Sequence, residues 1–337
     1  MDGLRRAWLK FKSKKLPYYS LWLFCGLTLI SLFAEIVAND EPLLVVYTDK
    51  VFYPVFSSYS EVDFGGEFAS TPNYREPYMR QLLEENSILI VWPLIKFDGR
   101  TINYELQQAA PSPPDSVNLL GTDDQGRDLL ARIIYGYRIS VIFAFLLTLL
   151  SIPTGILIGA IQGYYGGMID LFGQRVTEIW SGMPVLFILI ILASLVQPNL
   201  WWLLFITFLF SWMGLADLVR AEFLRGRNMT YVTAARSLGV KDLIIILRHI
   251  LPNAAVASLT AIPFVFTSAI TVITSLDFLG YGLPPGTPSL GELILQAKTN
   301  VSAYWIGIEA FLVITIMLSL LVFIGEGLRN SFDPNVT

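Results

Sequence analysis

Asp123, Asp124 and Asp128 crowd into one short stretch, Leu120-Gly121-Thr122-Asp123-Asp124-Gln125-Gly126-Arg127-Asp128, where three carboxylates could hold a cation. Their spacing does not follow the ligand positions of an EF-hand loop, so no metal is expected there. The same stretch has a simpler local chemistry. Thr122 and Gln125 have capping-box spacing for a helix start. Leu129, Leu130, Ile133 and Ile134 then form an apolar helical stripe, with Arg127, Asp128 and Arg132 facing elsewhere. This reads as a helix lying at the outer membrane surface before the chain turns into the bilayer. Other chemistry is missing from the sequence. Gly280-Tyr281-Gly282 lacks the third glycine of a dinucleotide fingerprint, and no GxxxxGK[ST] phosphate loop occurs. No GxSxG elbow occurs, and the single histidine is His249. The chain is therefore not expected to be an enzyme or to bind a cofactor of its own.

A second stretch has the shape of a docking element. It runs from Tyr231 through Thr233-Ala234-Ala235-Arg236-Ser237-Leu238-Gly239, then from Lys241 to Leu251-Pro252-Asn253. Asn228 or Thr230 can cap a short helix from about Tyr231 to Leu238. Gly239 suits a left-handed C-terminal cap, and Pro252 opens the next helix. Paired alanines let another backbone approach closely, and Arg225, Arg227, Arg236, Lys241 and Arg248 form a basic rim. From shape alone, an ordinary helix-turn-helix between two membrane spans fits equally well.

The elements that must carry these stretches are membrane helices. Hydrophobic residues make up 54% of the 337-residue chain and charged residues only 15%, where soluble domains carry about a quarter. A net charge of -4 is too mild to point to nucleic acid. Crossing the hydrocarbon layer takes about 20 apolar helical residues. Six stretches meet or approach that length: Leu21–Ala38, Val141–Ile161, Ile179–Val196, Leu200–Ala216, Asn253–Leu276 and Tyr304–Gly325. Gln197-Pro198-Asn199 separates the third from the fourth as a tight hairpin. The N-terminal run is too long for a signal-peptide core and lacks a small-residue cleavage site, so it is expected to stay as the first span.

Basic residues orient the spans. Segments 1–20, 162–178, 217–252 and 326–337 carry 6, 1, 6 and 1 of them, against one in 197–199 and 277–303 together. The positive-inside rule then places both termini in the cytoplasm. Residues 1–20 form a cytoplasmic tail, 21–38 the first span, and 39–118 an extracytoplasmic insertion. Residues 119–337 form a core of five further spans with a cytoplasmic loop at 220–252. The insertion region ends in a linker with Pro111, Pro113 and Pro114. Its runs Leu43–Tyr47 and Ile88–Trp92 alternate too weakly to define a sheet. Gly155, Gly159 and Gly163 give the second span a groove for close helix packing. Glu309 lies early in the sixth span and either lines a pathway or reaches the outer interface.

The spacing Ala234-Ala235, three residues, Gly239, then eleven residues to Leu251-Pro252 resembles the "EAA" loop of bacterial ABC-type import permeases. Thr233 stands where that family has an acid and His249 where it has isoleucine, as in its peptide and nickel branch. The Leu120–Asp128 string is similar to the signature of the oligopeptide/dipeptide permease C-type subunits. Thr274–Leu283 with Pro288-Ser289-Leu290-Gly291 is similar to the same group. The insertion, at Ala38–Val45 and Tyr59–Gly66, resembles the Yej-type branch, importers of microcin C and related peptides.

The resemblance implies an all-α membrane protein with the six-helix ABC importer type I permease fold and a periplasmic insertion after the first helix. It implies a subunit that moves peptides into the cytoplasm, with dipeptides or nickel as the alternative cargo. It assigns ATPase coupling to Tyr231, Ala234, Ala235, Arg236, Gly239, His249, Leu251 and Pro252. It marks Gly121, Thr122, Asp123, Gly126, Arg127 and Asp128 as an outer-surface signature. The implied partners are a second homologous permease in a heterodimer, ATPase subunits that hold ATP and magnesium, a periplasmic peptide-binding protein and the inner-membrane bilayer.

Overall fold

The chain is described by a computed structural model covering residues 2–47, 50–197 and 199–332. Helices dominate: α1 (Asp2–Ser13), α2 (Lys15–Leu32), α3 (Ala34–Val37), α4 (Pro77–Asn86), α5 (Leu129–Tyr165), α6 (Gly167–Ser181), α7 (Val185–Leu195), α8 (Leu200–Ser211), α9 (Met213–Gly226), α10 (Thr230–Ser237), α11 (Asp242–Ile244), α12 (Leu251–Phe278), α13 (Leu290–Thr299) and α14 (Tyr304–Phe332). Three short strands, β1 (Leu44–Val46), β2 (Val51–Phe52) and β3 (Leu89–Val91), two 3-10 turns at Pro54–Phe56 and Glu61–Phe64, and a π turn at Ile245–Ile250 complete the described elements. The residues fall into two compact units. Gly26–Ile139 with Pro285–Val313 forms one, and the remaining described residues form the other.

Among the described residues, four continuous helices are long and apolar enough to cross a membrane: Leu129–Tyr165, Leu200–Gly226, Asp242–Phe278 and Tyr304–Phe332. They correspond to the expected second, fourth, fifth and sixth spans, the second and fifth lengthened at both ends and the fourth and sixth at their C-terminal ends. The expected third span is corrected. Ile179–Val196 is not one helix, because α6 and α7 meet at a 74° bend across Gly182-Met183-Pro184. Proline has no N–H for the helix ladder, so the chain breaks there. The expected first span falls in α2 and α3. Helix α2 begins at Lys15, and Lys15, Pro17, Tyr18 and Tyr19 dilute its apolar character. Of the expected hairpin Gln197-Pro198-Asn199, Pro198 lies outside the described residues. Asn199 caps α8 by accepting the Trp202 N–H at 2.8 Å.

The unit that holds α9, α10 and α12 is organised around a glycine groove. Gly155, Gly159 and Gly163 face Leu215, Ala216, Val219, Arg220 and Phe223 of α9. A Cβ on Gly159 would stand 2.4 Å from the Ala216 carbonyl oxygen, and one on Gly163 would stand 2.5 Å from the Phe223 Cβ. The adjoining core of Val219, Phe223, Val232, Ala235, Ile245 and Ile250 draws α10 onto the same packing.

The other unit contains a sheet that the weak alternation did not reveal. Strands β2-β1-β3 pair antiparallel, with Val45 opposite both Phe52 and Ile90. Val45, Phe52, Phe64, Tyr74, Met79 and Leu83 form the core beneath it. The Phe52 and Phe64 rings lie 4.9 Å apart. Tertiary packing by these aromatics, rather than strand pattern, makes the sheet. The proline linker is also not free. Ser112 donates its N–H to Thr122 Oγ1 at 2.8 Å, and Thr122 returns its N–H to the Ser112 carbonyl at 2.9 Å.

Replacing Gly159 with leucine is expected to drive α5 and α9 apart at a cost of about 3 kcal/mol or more. A lowered melting temperature of the detergent-purified protein, with an unchanged or slightly raised value for Gly214→Ala in open space on α9, is the result that checks this.

Candidate coupling loop and buried charge cluster

Helix α10 is short, and its sides differ sharply. Val232 and Ala235 point into the core, with Ala235 only 8% exposed. Tyr231, Ala234 and Leu238 lie on the outer side, with Leu238 83% exposed. The two alanines therefore part company: Ala235 packs and Ala234 is presented. Neither Asn228 nor Thr230 caps the helix. Met229 holds the capping position without a side-chain bond, and the Asn228 amide donates instead to the Leu224 carbonyl at 3.2 Å.

The C-terminal expectation holds in detail. Gly239 has φ +73°, its N–H reaches the Arg236 carbonyl at 3.0 Å, and the Val240 N–H reaches the Ala235 carbonyl at 3.1 Å. This is a Schellman motif, and a side chain at that φ would cost about 1–2 kcal/mol. After it, α11 passes into a π turn at Ile245–Ile250 before α12. Pro252 cannot donate to the carbonyl four residues back, and the Leu251 N–H reaches Ile246 instead. His249 and Leu251 sit in or beside that widened turn. The His249 carbonyl accepts from the Tyr231 hydroxyl at 3.5 Å, and Asn253 donates to the same hydroxyl at 3.4 Å.

The loop is tied to the end of α5 by polar contacts that the sequence reading missed. The Tyr164 hydroxyl donates to Asp242 Oδ1 at 2.5 Å, and the Arg236 guanidinium lies 5.6 Å over the Tyr164 ring. The Arg220 guanidinium forms a two-pronged pair with Asp170. Leu243 and Leu247 are exposed as well.

The Leu120–Asp128 signature is corrected in its surroundings. Arg127, Asp128 and Arg132 do not face solvent; they are at most 2% exposed, as is Asp123. Asp123 Oδ2 lies 2.7 Å from Arg127 Nε and 3.2 Å from Arg132 Nε. Glu292 Oε2 lies 2.6 Å from Arg132 Nη2, and its Oε1 lies 3.4 Å from Arg127 Nη2. Two carboxylates, the buried Asp123 and the partly exposed Glu292, thus neutralise two buried guanidiniums, as buried charge requires. Asp124 stays outside these ion pairs.

The capping box is also replaced. Thr122 is used by Ser112, and α5 starts at Leu129 with Asp128 Oδ1 accepting the Ala131 N–H at 2.8 Å. Asn118 donates to Asp128 Oδ2 at 2.8 Å, and Asn103 donates to Asn118 at 2.9 Å. Burial pushes the Asp128 carboxyl above its ordinary value, and these bonds pull it back. Gly121 and Gly126 both have φ +79°, which places the turns around Asp123. Glu292 was the missing partner. It is the one acid of α13, one residue beyond Pro288–Gly291. Glu309 keeps Oε2 shielded from solvent and without a hydrogen-bond partner among the described residues.

The model of the family "Binding-protein-dependent transport system inner membrane component" matches residues 155–337. The chain belongs to this family. The permease is 56% identical over 328 residues to the "Inner membrane ABC transporter permease protein YejE" of Escherichia coli (strain K12), covering 97% of this chain and 96% of that one. It is 46% identical to the "Peptidoglycan transport system permease protein YejE" of Agrobacterium fabrum (strain C58 / ATCC 33970), over 99% and 93% of the two chains. It is 33% identical to the "Oligopeptide transport system permease protein OppC" of Lactococcus lactis subsp. lactis (strain IL1403), over 73% and 85%. The permease is thus an inner-membrane component of a transport system.

Asp123→Ala in the permease leaves two buried guanidiniums short of one counter-charge and is expected to cost about 3–5 kcal/mol. Glu292→Ala, at a partly solvated position, should cost less. Thermal unfolding of both variants in one detergent checks the order.

Proposed function

We propose that this permease is one membrane-spanning subunit of an ATP-driven importer, that its cargo is a peptide, and that α10 is its contact with the ATPase. The observation that carries the coupling role is the division of α10 into a packed side, Val232 and Ala235, and a presented side, Tyr231, Ala234 and Leu238. An apolar helix face on a rigid core is what a cleft of a soluble partner can receive. Burying Leu238 alone contributes about 1.5–3 kcal/mol. The cargo follows from the relatives named above, which carry oligopeptide and peptidoglycan transport in their names. They support peptide over nickel.

The same reading supplies the remaining parts. Helix α2 serves as a further span, giving six with the bent pair. Both termini and loop 220–252 face the cytoplasm, and residues 39–118 lie outside. A second, homologous permease completes the pore, a periplasmic binding protein delivers peptide, and ATP with magnesium acts on separate subunits. Closure of the ATPases pushes α10, and its core transmits the displacement to α9 and α12. The spans then exchange two packings with access from opposite sides. Glu309 in this reading faces the pathway.

The test is ATP-dependent uptake of a labelled peptide by vesicles holding the assembled transporter. Leu238→Glu is expected to lower uptake at least tenfold, which corresponds to about 1.4 kcal/mol or more of lost coupling contact. The variant should keep wild-type abundance in the membrane. Ala235→Glu is a poorer probe, since it would disturb the core. Undiminished uptake by Leu238→Glu contradicts the coupling role.

A further inference from the structure

The unit holding Gly26–Ile139 contains a cleft of about 500 Å³, a size suited to a small ligand. Arg80 and Glu84, one turn apart on α4, line one part of it. Trp92, Leu94 and Lys96, which follow β3, line another. Charges of both signs meet an apolar wall there. Some of these charges are already satisfied: Arg80 pairs with Glu105 at 3.2 Å. Others are placed but carry no ion pair among the described residues. Arg75 lies 3.9 Å over the Phe97 ring and gives one nitrogen to the Lys96 carbonyl at 2.9 Å. The Lys96 ammonium lies 5.4 Å over the Trp92 ring. Glu84 is exposed on α4. Two cations and one carboxylate are therefore available to a ligand with ends of opposite charge.

The strand beside the cleft adds a second, independent feature. β3 stands at the end of the order β2-β1-β3 and pairs with β1 alone, so among the described residues its outer edge meets no strand. Ile88, Leu89 and Val91 along it are exposed. A free edge offers N–H and C=O groups that recognise a polypeptide main chain whatever its side chains.

We infer that the β3 edge and the adjoining cleft bind a short, extended peptide with free ends, its carboxylate at Lys96 and Arg75 and its ammonium at Glu84. The inference rests on the reading of the chain as a peptide permease, and it adds a receiving site on this subunit itself. Such a site selects for main chain and free termini and tolerates varied side chains.

The experiment is calorimetric titration of the full-length chain in lipid nanodiscs with the tripeptide Ala-Leu-Ala. Two analogues are titrated beside it, one N-methylated at its amides and one blocked at both ends. The free tripeptide is expected to bind, and each analogue to bind at least tenfold more weakly. Lys96→Glu should weaken the free tripeptide at least tenfold with an unchanged melting temperature. No binding of the free tripeptide, or equal binding of the N-methylated analogue, overturns the inference. So does loss of delivery-protein capture in Lys96→Glu with peptide binding intact. Uptake of Ala-Leu-Ala by the assembled importer is measured separately. Uptake without binding to this chain overturns the receiving site alone, and binding without uptake supports the site while contradicting the transport reading.

Discussion

Val232 and Ala235 bury themselves with Phe223, Ile245 and Ile250, and this packing decides which side of α10 remains for a partner. A helix this short has almost no stability of its own, so its orientation comes from the core it touches. The glycine groove on α5 brings α9 close, α9 supplies Phe223, and Phe223 seats α10. Gly239 then turns the chain sharply enough for α11 to return toward the same core. Close-packed interiors do not compress. In the proposed coupling, a push on the outer side of α10 would be passed to α9 and α12 rather than absorbed. The π turn at Ile245–Ile250 lies between α10 and α12, where Pro252 removes a rung of the ladder.

The second unit meets a different constraint. Its organising residues are charged, and charge leaves water only with a counter-charge at hand. Asp123 accepts from two arginines while its backbone N–H is held by the Arg127 carbonyl. Glu292 from α13 closes the square. The Asn103–Asn118–Asp128 chain then fixes the residues that precede α5. Three aspartates that suggest a cation site in the sequence are thus divided between ion pairing, helix capping and a position outside both.

Much of the segment from Tyr231 to Pro252 was legible because its signals are local. Gly239 needs only its own φ to announce a helix end, and Pro252 needs only its missing N–H to mark the start of α12. The four continuous membrane helices were legible because composition alone specifies them in lipid. What escaped depends on contacts distant in sequence. Thr122 and Gln125 have capping-box spacing, but Ser112 claims the Thr122 hydroxyl. Arg127 and Arg132 lie off the apolar stripe in the sequence, and only the distant Glu292 shows what they face. The sheet was hidden because β1 and β3 are exposed or buried according to Phe52, Phe64 and Tyr74, none of which lies in either strand. The bend between α6 and α7 was legible in Pro184, yet its apolar surroundings read as a continuous span.

In the proposed coupling role the Leu238 side of α10 meets the ATPase while the Ala235 side does not. Site-specific disulfide cross-linking in the assembled transporter tests it most directly, with Cys25 replaced by serine and a single new cysteine at position 238 or 235. The account predicts that Leu238→Cys cross-links to a cysteine in the ATPase cleft, that the yield changes when ATP is bound, and that Ala235→Cys does not react. Cross-linking from position 235 and none from position 238 would contradict it.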